Sequence, residues 1–393
     1  MKYRNSAEVI PAELLEEIQK YVQGEYIYIP VKEKSINRKK TEYAVEVCKR
    51  DEHIYTRHLE GMSNKELAGF YALSESSIRR IIIKERNRNA YMDTIIREVL
   101  NNWNIQDKST KQIHDTVWQV GDEYVLKKYD NKNTVEQNIR IITTLSSMGI
   151  PVEKIWKTTS GHQYFEQDGH CYTLTGKLRG CNLVGTRELE KVTYKVGEII
   201  AKLHVAFKQC EEVAEYPQNS ILDEMKGWIK DNFEADNWNS TDKNEFMNTL
   251  DKLTSLYDSL PVQLIHRDVH FGNFLFDKGE FTGYIDFDLS QRNIRIFDLC
   301  YFTLSILSME NADEIKGNRW IDVVRDVFKG YNSISKLMEA EKEAVPYVMM
   351  SVEYLFAAWF VSQNDVKCCE NSLGIMRFVR DNIDKIRFAL RGF

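Results

Sequence analysis

The sequence predicts an α+β protein: a mainly helical leading segment, then a small β-rich lobe, then a larger helical lobe. Three observations lead there. Hydrophobic spacing is helical up to about residue 90 and gives way to strand-like runs from about 109. After Gly180 the helical period returns and persists, so strands come first and helices follow. Charge also changes sign: residues 1–90 hold 17 Lys/Arg and 14 Asp/Glu, and the remainder holds 36 and 45. On this basis the 393 residues divide into 1–90, 91–179 and 180–393.

Composition excludes several classes. With 43% hydrophobic and 28% charged residues, the chain has the balance of a soluble globular protein. Its 19 Gly and 6 Pro are too few for a collagenous or long disordered chain. A net charge of −6 argues against coating nucleic acid with the whole surface, but leaves room for one basic module. The seven cysteines are odd in number and show no C-x-x-C pair, so the sequence predicts reduced thiols in a cytoplasmic protein. Met1 to Ile18 carries acids from Glu8 onward and lacks an apolar core, unlike a signal peptide. The most apolar stretch, Val345 to Val361, is interrupted by Ser351 and Glu353 and is shorter than the roughly 20 residues of a span. It is expected to be a buried helix, with no membrane involved.

In the leading segment, Pro11 to Val22 has helical spacing at Leu14, Leu15, Ile18 and Val22, and Tyr26–Ile29 reads as a short strand. Three helices follow, at about 43–60, 63–71 and 74–87. Ser63 caps the second with Glu66 three residues on, a capping box, and Ser74 caps the third. The last two form a helix-turn-helix pattern. Leu67, Ala68, Tyr71, Ile78, Ile81 and Ile82 make one seam, and Ser76, Ser77, Arg79, Arg80 and Lys84 lie outside it. A polar, basic N-terminal face is what a recognition helix needs in a major groove. Ser76, Ser77 and Arg80 could reach bases, and Arg79 and Lys84 phosphates.

The β-rich lobe opens with Thr116–Val120 and Glu123–Tyr129 around a Gly121-Asp122 turn, a hairpin signal. Thr134–Met148 is helical and ends at Gly149. Two further strands are expected around Asp168-Gly169.

The strongest chemical signal is Leu264-Ile265-His266-Arg267-Asp268, then Asn273 five residues past Asp268, then Ile285-Asp286-Phe287-Asp288. Apolar strands here deliver two acids and an amide to tight loops. Phosphoryl transfer needs such groups: Mg²⁺ takes hard oxygen ligands, and a positioned carboxylate can accept the acceptor hydroxyl's proton. Asn273 and Asp286 could hold the metal, and Asp268 could be the base. Lys127 lies on the strand after the hairpin, where a cation would hold the α/β-phosphates.

This constellation resembles the aminoglycoside phosphotransferase/choline kinase superfamily over about residues 105–393. The resemblance is carried by His266–Asn273, Ile285-Asp286-Phe287, the lysine strand, Gly149-Ile150-Pro151-Val152, the Leu203-His204 helix end and Phe297-Asp298-Leu299. It implies a two-lobed protein-kinase-like fold and an ATP- or GTP-dependent, Mg²⁺-dependent kinase for a hydroxyl of a small molecule. It also implies Asp268 as catalytic base, Asn273 and Asp286 as metal ligands, and Lys127 as the phosphate-binding residue. The backbone of Gly176 to Leu178 would form the hinge under the adenine. Asp288, two residues past Asp286 on the same strand, would face the same way and touch metal or substrate. His266 and Asp298 would brace the loop. The helical segments between about 205 and 260 and the C-terminus would set the acceptor; the acids of the first, among them Glu211, Glu212 and Glu224, read mainly as a solvated face, with a cationic amine or amino sugar as the alternative.

Three departures stand out. Arg267 replaces the usual glycine. No glycine lies between Ser109 and Val120, which leaves Ser109, Thr110 or backbone amides for the phosphate loop. The helix glutamate that pairs with the lysine is ambiguous between Glu136, about two residues early, and Asn138. The leading segment resembles Mor-type transcription-activator helix-turn-helix domains, which implies double-stranded DNA as a partner. Use of that bundle for packing or dimerisation, giving a homodimer, stays open.

Overall fold

The computed structural model describes residues 42–181, 186–235, 240–309, 315, 317–363 and 365–393. The helix expected at 11–22 and the strand at 26–29 lie outside the described residues. The chain divides into two compact units, residues 1–92 and 93–393.

In the first unit, helices α1 (Glu42–Leu59), α2 (Asn64–Phe70) and the start of α3 (Glu75–Leu100) enclose Ile54, Leu67, Ile78, Ile81 and Ile82. Ser63 caps α2 in a reciprocal box with Glu66, which satisfies two otherwise orphaned backbone donors. The Ser74 hydroxyl accepts from Ser77 N at the start of α3. The turn between α2 and α3 passes through Ala72 at φ 51°. One buried acid ties two helices together, Asp51 of α1 accepting from Lys84 of α3 at 3.0 Å, while the buried Glu85 lies 3.1 Å from Arg88 one turn on within α3.

The second unit starts with an antiparallel sheet of β1 (Thr110–His114), β2 (Val117–Val120), β3 (Tyr124–Tyr129), β4 (Ile155–Trp156), β5 (Phe165–Gln167) and β6 (His170–Gly176). Its order is β1-β2-β3-β6-β4, with β5 on the other part of β6. Strand alternation puts Trp118, Val120 and Leu126 into the core. It turns Val125, Lys127 and Tyr129 together toward the cleft. Helix α4 (Lys132–Ser147), capped by Asn131, buries Val135, Asn138, Ile139, Ile142 and Leu145, a stripe at helical spacing.

The helical lobe contains α5 (Thr186–Val213), α6 (Ile221–Glu224), α7 (Lys230–Ala235) and α8 (Ser240–Tyr257). Two short sheets interrupt it. Strand β7 (Val262–Ile265) pairs with β10 (Gln291–Ile294), and β8 (Phe274–Asp277) pairs with β9 (Glu280–Tyr284). Then come α9 (Ile296–Ser305), α10 (Asn318–Ile334), α11 (Glu339–Ser362), α12 (Val366–Asp381) and α13 (Ile383–Leu390). Among the described residues, α11 is the one helix long and apolar enough to cross a membrane, and 72% of its apolar window is buried inside the fold. It is the core helix that the Val345–Val361 pattern predicts. All seven cysteines are free.

One expectation needs correcting. The strand leading to the second acid ends at Tyr284, so Asp286 and Asp288 do not share a strand face. Asp286 adopts φ 65°, a left-handed conformation that the short, polar Asp side chain tolerates. A turn, not strand alternation, brings the two acids together.

Helices α5 and α10 cross at two glycines. A Cβ on Gly197 would stand 2.0 Å from the Val327 carbonyl oxygen, and one on Gly330 would stand 2.0 Å from that of Tyr194. Backbone cannot yield there as a flexible side chain would. Gly330→Ala should therefore lower stability by at least ~1–3 kcal/mol, the usual overpacking cost. Gly374→Ala on α12, where a Cβ meets nothing within 4 Å, should instead be neutral or stabilise by up to ~1 kcal/mol. Denaturant midpoints of the two variants check the contrast.

Candidate active site

The site is built around Asp298, at the N-terminal end of α9 and fully buried. Its carboxylate accepts from His266 N at 2.9 Å, from Arg267 N at 2.8 Å and from His204 Nε2 at 2.9 Å. His204 is held in turn by the Tyr331 hydroxyl at 3.0 Å. His266 Nε2 donates to the Ile285 carbonyl at 3.1 Å, and its Nδ1 accepts from Asp268 N at 3.4 Å. One histidine thus links the loop after β7 to the turn after β9.

Asp268 projects from this loop with three donors around it. Tyr301 donates its hydroxyl to Oδ1 at 2.7 Å, Asn273 donates Nδ2 to Oδ2 at 3.0 Å, and His270 Nε2 lies 3.5 Å from Oδ1. Burial alone would raise its pKa, but His270 first, then Tyr301 and His266, outweigh it and hold the carboxyl at about 2. Asn273 also donates to the Asp268 carbonyl at 2.9 Å, which commits its nitrogen to this side.

Lys127 reaches across the cleft and bridges Asp286 Oδ1 and Asp288 Oδ2, each at 2.7 Å. Burial disfavours its charge, yet Tyr129, Asp288 and Asp286 outweigh that and hold the ammonium above its ordinary pKa. Burial raises the Asp288 carboxyl despite Lys127, and it pushes neighbouring Glu153 up to about 7.

Asn138 resolves the ambiguity on α4. It is buried, and its Nδ2 donates to Asp288 Oδ1 at 2.5 Å and to the Tyr129 hydroxyl at 2.9 Å. Glu136 instead accepts from Tyr164 at 3.1 Å, away from Lys127. The lysine's acidic partners therefore come from the turn after β9.

The hairpin turn nearest Lys127 carries no glycine. The β1–β2 turn is Asp115-Thr116, and Lys128 N donates to Thr116 O at 2.8 Å. Val117, next to that turn, pairs with Lys127, whereas Thr110 pairs with Val120 at the opposite end of the hairpin. Ser109 and Thr110 are thus far from the turn that adjoins the lysine. At the end of β6, Gly176 N donates to Lys154 O and Lys177 N to Glu123 O, which fixes the Gly176–Leu178 connection between the lobes.

Three acids of segment 205–260 are engaged elsewhere. Glu211 accepts from Arg292 at 2.7 Å, Glu212 from Gln209 at 2.7 Å, and Glu224 from Arg267 at 2.7 Å. The acid that sequence reading passed over is Glu353. It stood out only as a charge inside the Val345–Val361 run, and the structure sets it in a cavity beside Tyr301 and His270. On the leading unit, Ser76, Arg79, Arg80 and Lys84 are exposed and Ser77 is partly so. Arg79 lies 3.5 Å from Glu75, and Lys84 braces α3 against α1 through Asp51.

Fold and site define a kinase-like phosphotransferase. Residues 109–328 match the phosphotransferase enzyme family, and the chain belongs to it. Residues 2–94 match the Mor transcription activator family. The chain is 26% identical over 277 residues to a homoserine kinase of Zymomonas mobilis subsp. mobilis, covering 67% of this chain and 82% of that one. A homoserine kinase of Granulibacter bethesdensis is 26% identical over 247 residues, with coverages of 60% and 73%. Among solved structures, amicoumacin kinase hAmiN in complex with AMP-PNP, Ca²⁺ and Ami aligns with TM-score 0.57 at 17% identity, covering 77% of this chain and 96% of that one. The GDP complex of wild-type aminoglycoside 2′-phosphotransferase-IIIa aligns with TM-score 0.52 at 13% identity, covering 75% and 99%. These last two likenesses establish the fold.

Arg267 shows why glycine is usual at its position: its φ is 68°. A non-glycine residue there is strained by ~1–2 kcal/mol. Its guanidinium, however, holds the buried Glu224 at 2.7 and 2.9 Å, and unpairing such a charge costs ~3–5 kcal/mol. The second effect should win. Arg267→Gly should destabilise by roughly 2 kcal/mol, and adding Glu224→Gln should recover most of that loss. A double-mutant cycle in urea measures it.

Proposed function

We propose that the second unit transfers the γ-phosphoryl group of ATP or GTP to a hydroxyl of a small molecule. The observation that carries this reading is a pair of networks joined at one turn: Asp268 with Asn273, whose carbonyl accepts from Ile285 N beside Asp286, and Lys127 with Asp286 and Asp288. Asp268 orients the acceptor hydroxyl and takes its proton. Its depressed pKa keeps it ionised and hydrogen-bonded at neutral pH. Lys127 holds the α/β-phosphates. The donor set fits Mg²⁺: Asp286 offers a partly exposed carboxylate, and Asn273, with its nitrogen committed to Asp268, offers its amide oxygen. When bound, the metal neutralises charge on the transferring phosphoryl group. Asp288 is read as the lysine's counter-ion, anchored by Asn138, and His266 and Asp298 as positioning residues. The Gly176–Leu178 backbone is read as the strip under the base. The free thiols support a reducing, cytoplasmic setting.

We read the leading unit as a double-stranded-DNA-binding module, with Ser76, Ser77 and Arg80 toward bases and Arg79 toward phosphate. Lys84 serves α3's placement as well as the backbone. The family match over residues 2–94 supports it. This favours a second reading, in which the kinase-like unit senses a ligand and regulates DNA binding without turnover. The glycine-free Asp115-Thr116 turn supports that alternative.

Asp268→Ala should lower kcat by ~10²–10⁴ and leave Mg·ATP affinity nearly unchanged. Single-turnover transfer and nucleotide titration separate the two effects. Equal loss of binding and turnover removes Asp268 from its assigned role, and a wild-type chain that binds nucleotide but transfers to no alcohol favours the sensor reading. For the first unit, Arg79→Ala should reduce the slope of log affinity against log salt by about 1 on duplex DNA. A full-length chain without DNA affinity at low salt refutes the module.

A further inference from the structure

Beside Asp268 the helical lobe opens a cavity of about 540 Å³, within the ~300–1,000 Å³ typical of small-molecule sites. Tyr301 and His270 line it and also approach the Asp268 carboxylate, so the cavity is continuous with the reacting position. Glu353, Phe356 and Phe360 enter it from one face of α11, at positions i, i+3 and i+7.

We propose that the acceptor held here is a compact amino alcohol with one primary or secondary ammonium and no carboxylate, its nitrogen on Glu353 and its hydroxyl at Asp268. This rests on the phosphotransferase reading and specifies its substrate class. Four features carry it. Glu353 is 3% exposed, and it is the only acid among the described residues that line the cavity. A buried carboxylate is costly unless a cation or several donors meet it, and no Lys or Arg is among those lining residues. Burial pushes its carboxyl up to about 8 although Ser372 donates to it, so a cation placed beside it would favour the ionised form. The rings of Tyr301, Phe356 and Phe360 suit an ammonium on a small apolar body.

The same inventory excludes other cations. A quaternary ammonium brings no N–H for the carboxylate. A zwitterionic amino acid such as homoserine brings a second carboxylate, and the described lining has no basic side chain beyond His270. A polycationic amino sugar needs several acids. Glu211 and Glu224, which could have supplied them, are held by Arg292 and Arg267.

The test uses the full chain, Mg·ATP and matched acceptors: 2-amino-1-phenylethanol against 1-phenylethanol, 3-amino-1-propanol against 1-propanol, plus choline, homoserine and kanamycin. The amine of each pair should be favoured in kcat/KM by at least about tenfold. Glu353→Gln, confirmed folded by its melting temperature, should bring that ratio to within about threefold of unity. The ratio in the unaltered protein decides the matter even if the variant does not fold. Absence of amine preference, a preference that survives Glu353→Gln, or better use of choline, homoserine or kanamycin overturns the proposal. So does a chain that binds Mg·ATP yet phosphorylates neither amino alcohol. Failure to bind Mg·ATP is a different result, because it overturns the phosphotransferase reading itself.

Discussion

The site depends on one buried carboxylate. Asp298 has no exposure, and it receives two consecutive backbone N–H groups, those of His266 and Arg267, together with the His204 imidazole. A buried charge of this kind is tolerable only when fully hydrogen-bonded, so its geometry is over-determined. That rigidity holds the left-handed Arg267 conformation in place. It also explains why helices α5 and α10 must approach so closely. Each supplies a partner in the chain from Asp298 through His204 to Tyr331, and the glycines at the crossing permit the distance.

From that anchor the cleft divides into two electrostatic regimes. Around Asp268, donors from His270, Tyr301 and Asn273 stabilise the ionised form. Across the cleft, burial dominates at Asp288 and Glu153 and raises both carboxyls, while Lys127 is kept charged by the acids it bridges. The contrast is one of neighbouring charge: Asp268 and Asp288 both receive donors, but Asp268 sits beside His270 and His266, whereas Asp288 and Glu153 add the like charge of Asp286 to the cost of burial. In the proposed function, the pairing of Lys127 with two acids is what phosphate and metal would replace.

Much of this was legible in the sequence because local rules were obeyed. The capping box of Ser63 and Glu66, the seam from Leu67 to Ile82, and the strand that carries Lys127 follow directly from spacing. The loop from His266 to Asn273 reads as chemistry because polar residues between apolar strands would otherwise be costly to bury. What could not be read was tertiary. Strand alternation put Asp286 and Asp288 on one face, but positive φ at Asp286 ends the strand, and only the three-dimensional turn reunites them. The partner of Lys127 was sought on α4 by family register, whereas Asn138 there supports Asp288 from behind. The absent phosphate-loop glycine drew attention to Ser109 and Thr110, because the β1–β2 turn at Asp115-Thr116 carries no glycine to announce it.

The acids near the acceptor show the same limit most sharply. Sequence counts charges, and segment 205–260 holds many, which read as a solvated face with a hint of a cation-binding one. Packing assigns two of those acids, Glu211 and Glu224, to arginines, and a carboxylate already paired with a guanidinium has little left to offer a ligand. Glu353 had the opposite profile. It was a single acid in an apolar run, where the hydrophobic pattern treats it as an interruption. Yet a carboxylate carried to 3% exposure without an arginine is the more informative one. Burial raises its pKa, and a cation brought from outside would favour its ionised form. Specificity in this fold is therefore to be sought less in the number of acids around the cleft than in which of them the protein has left unpaired.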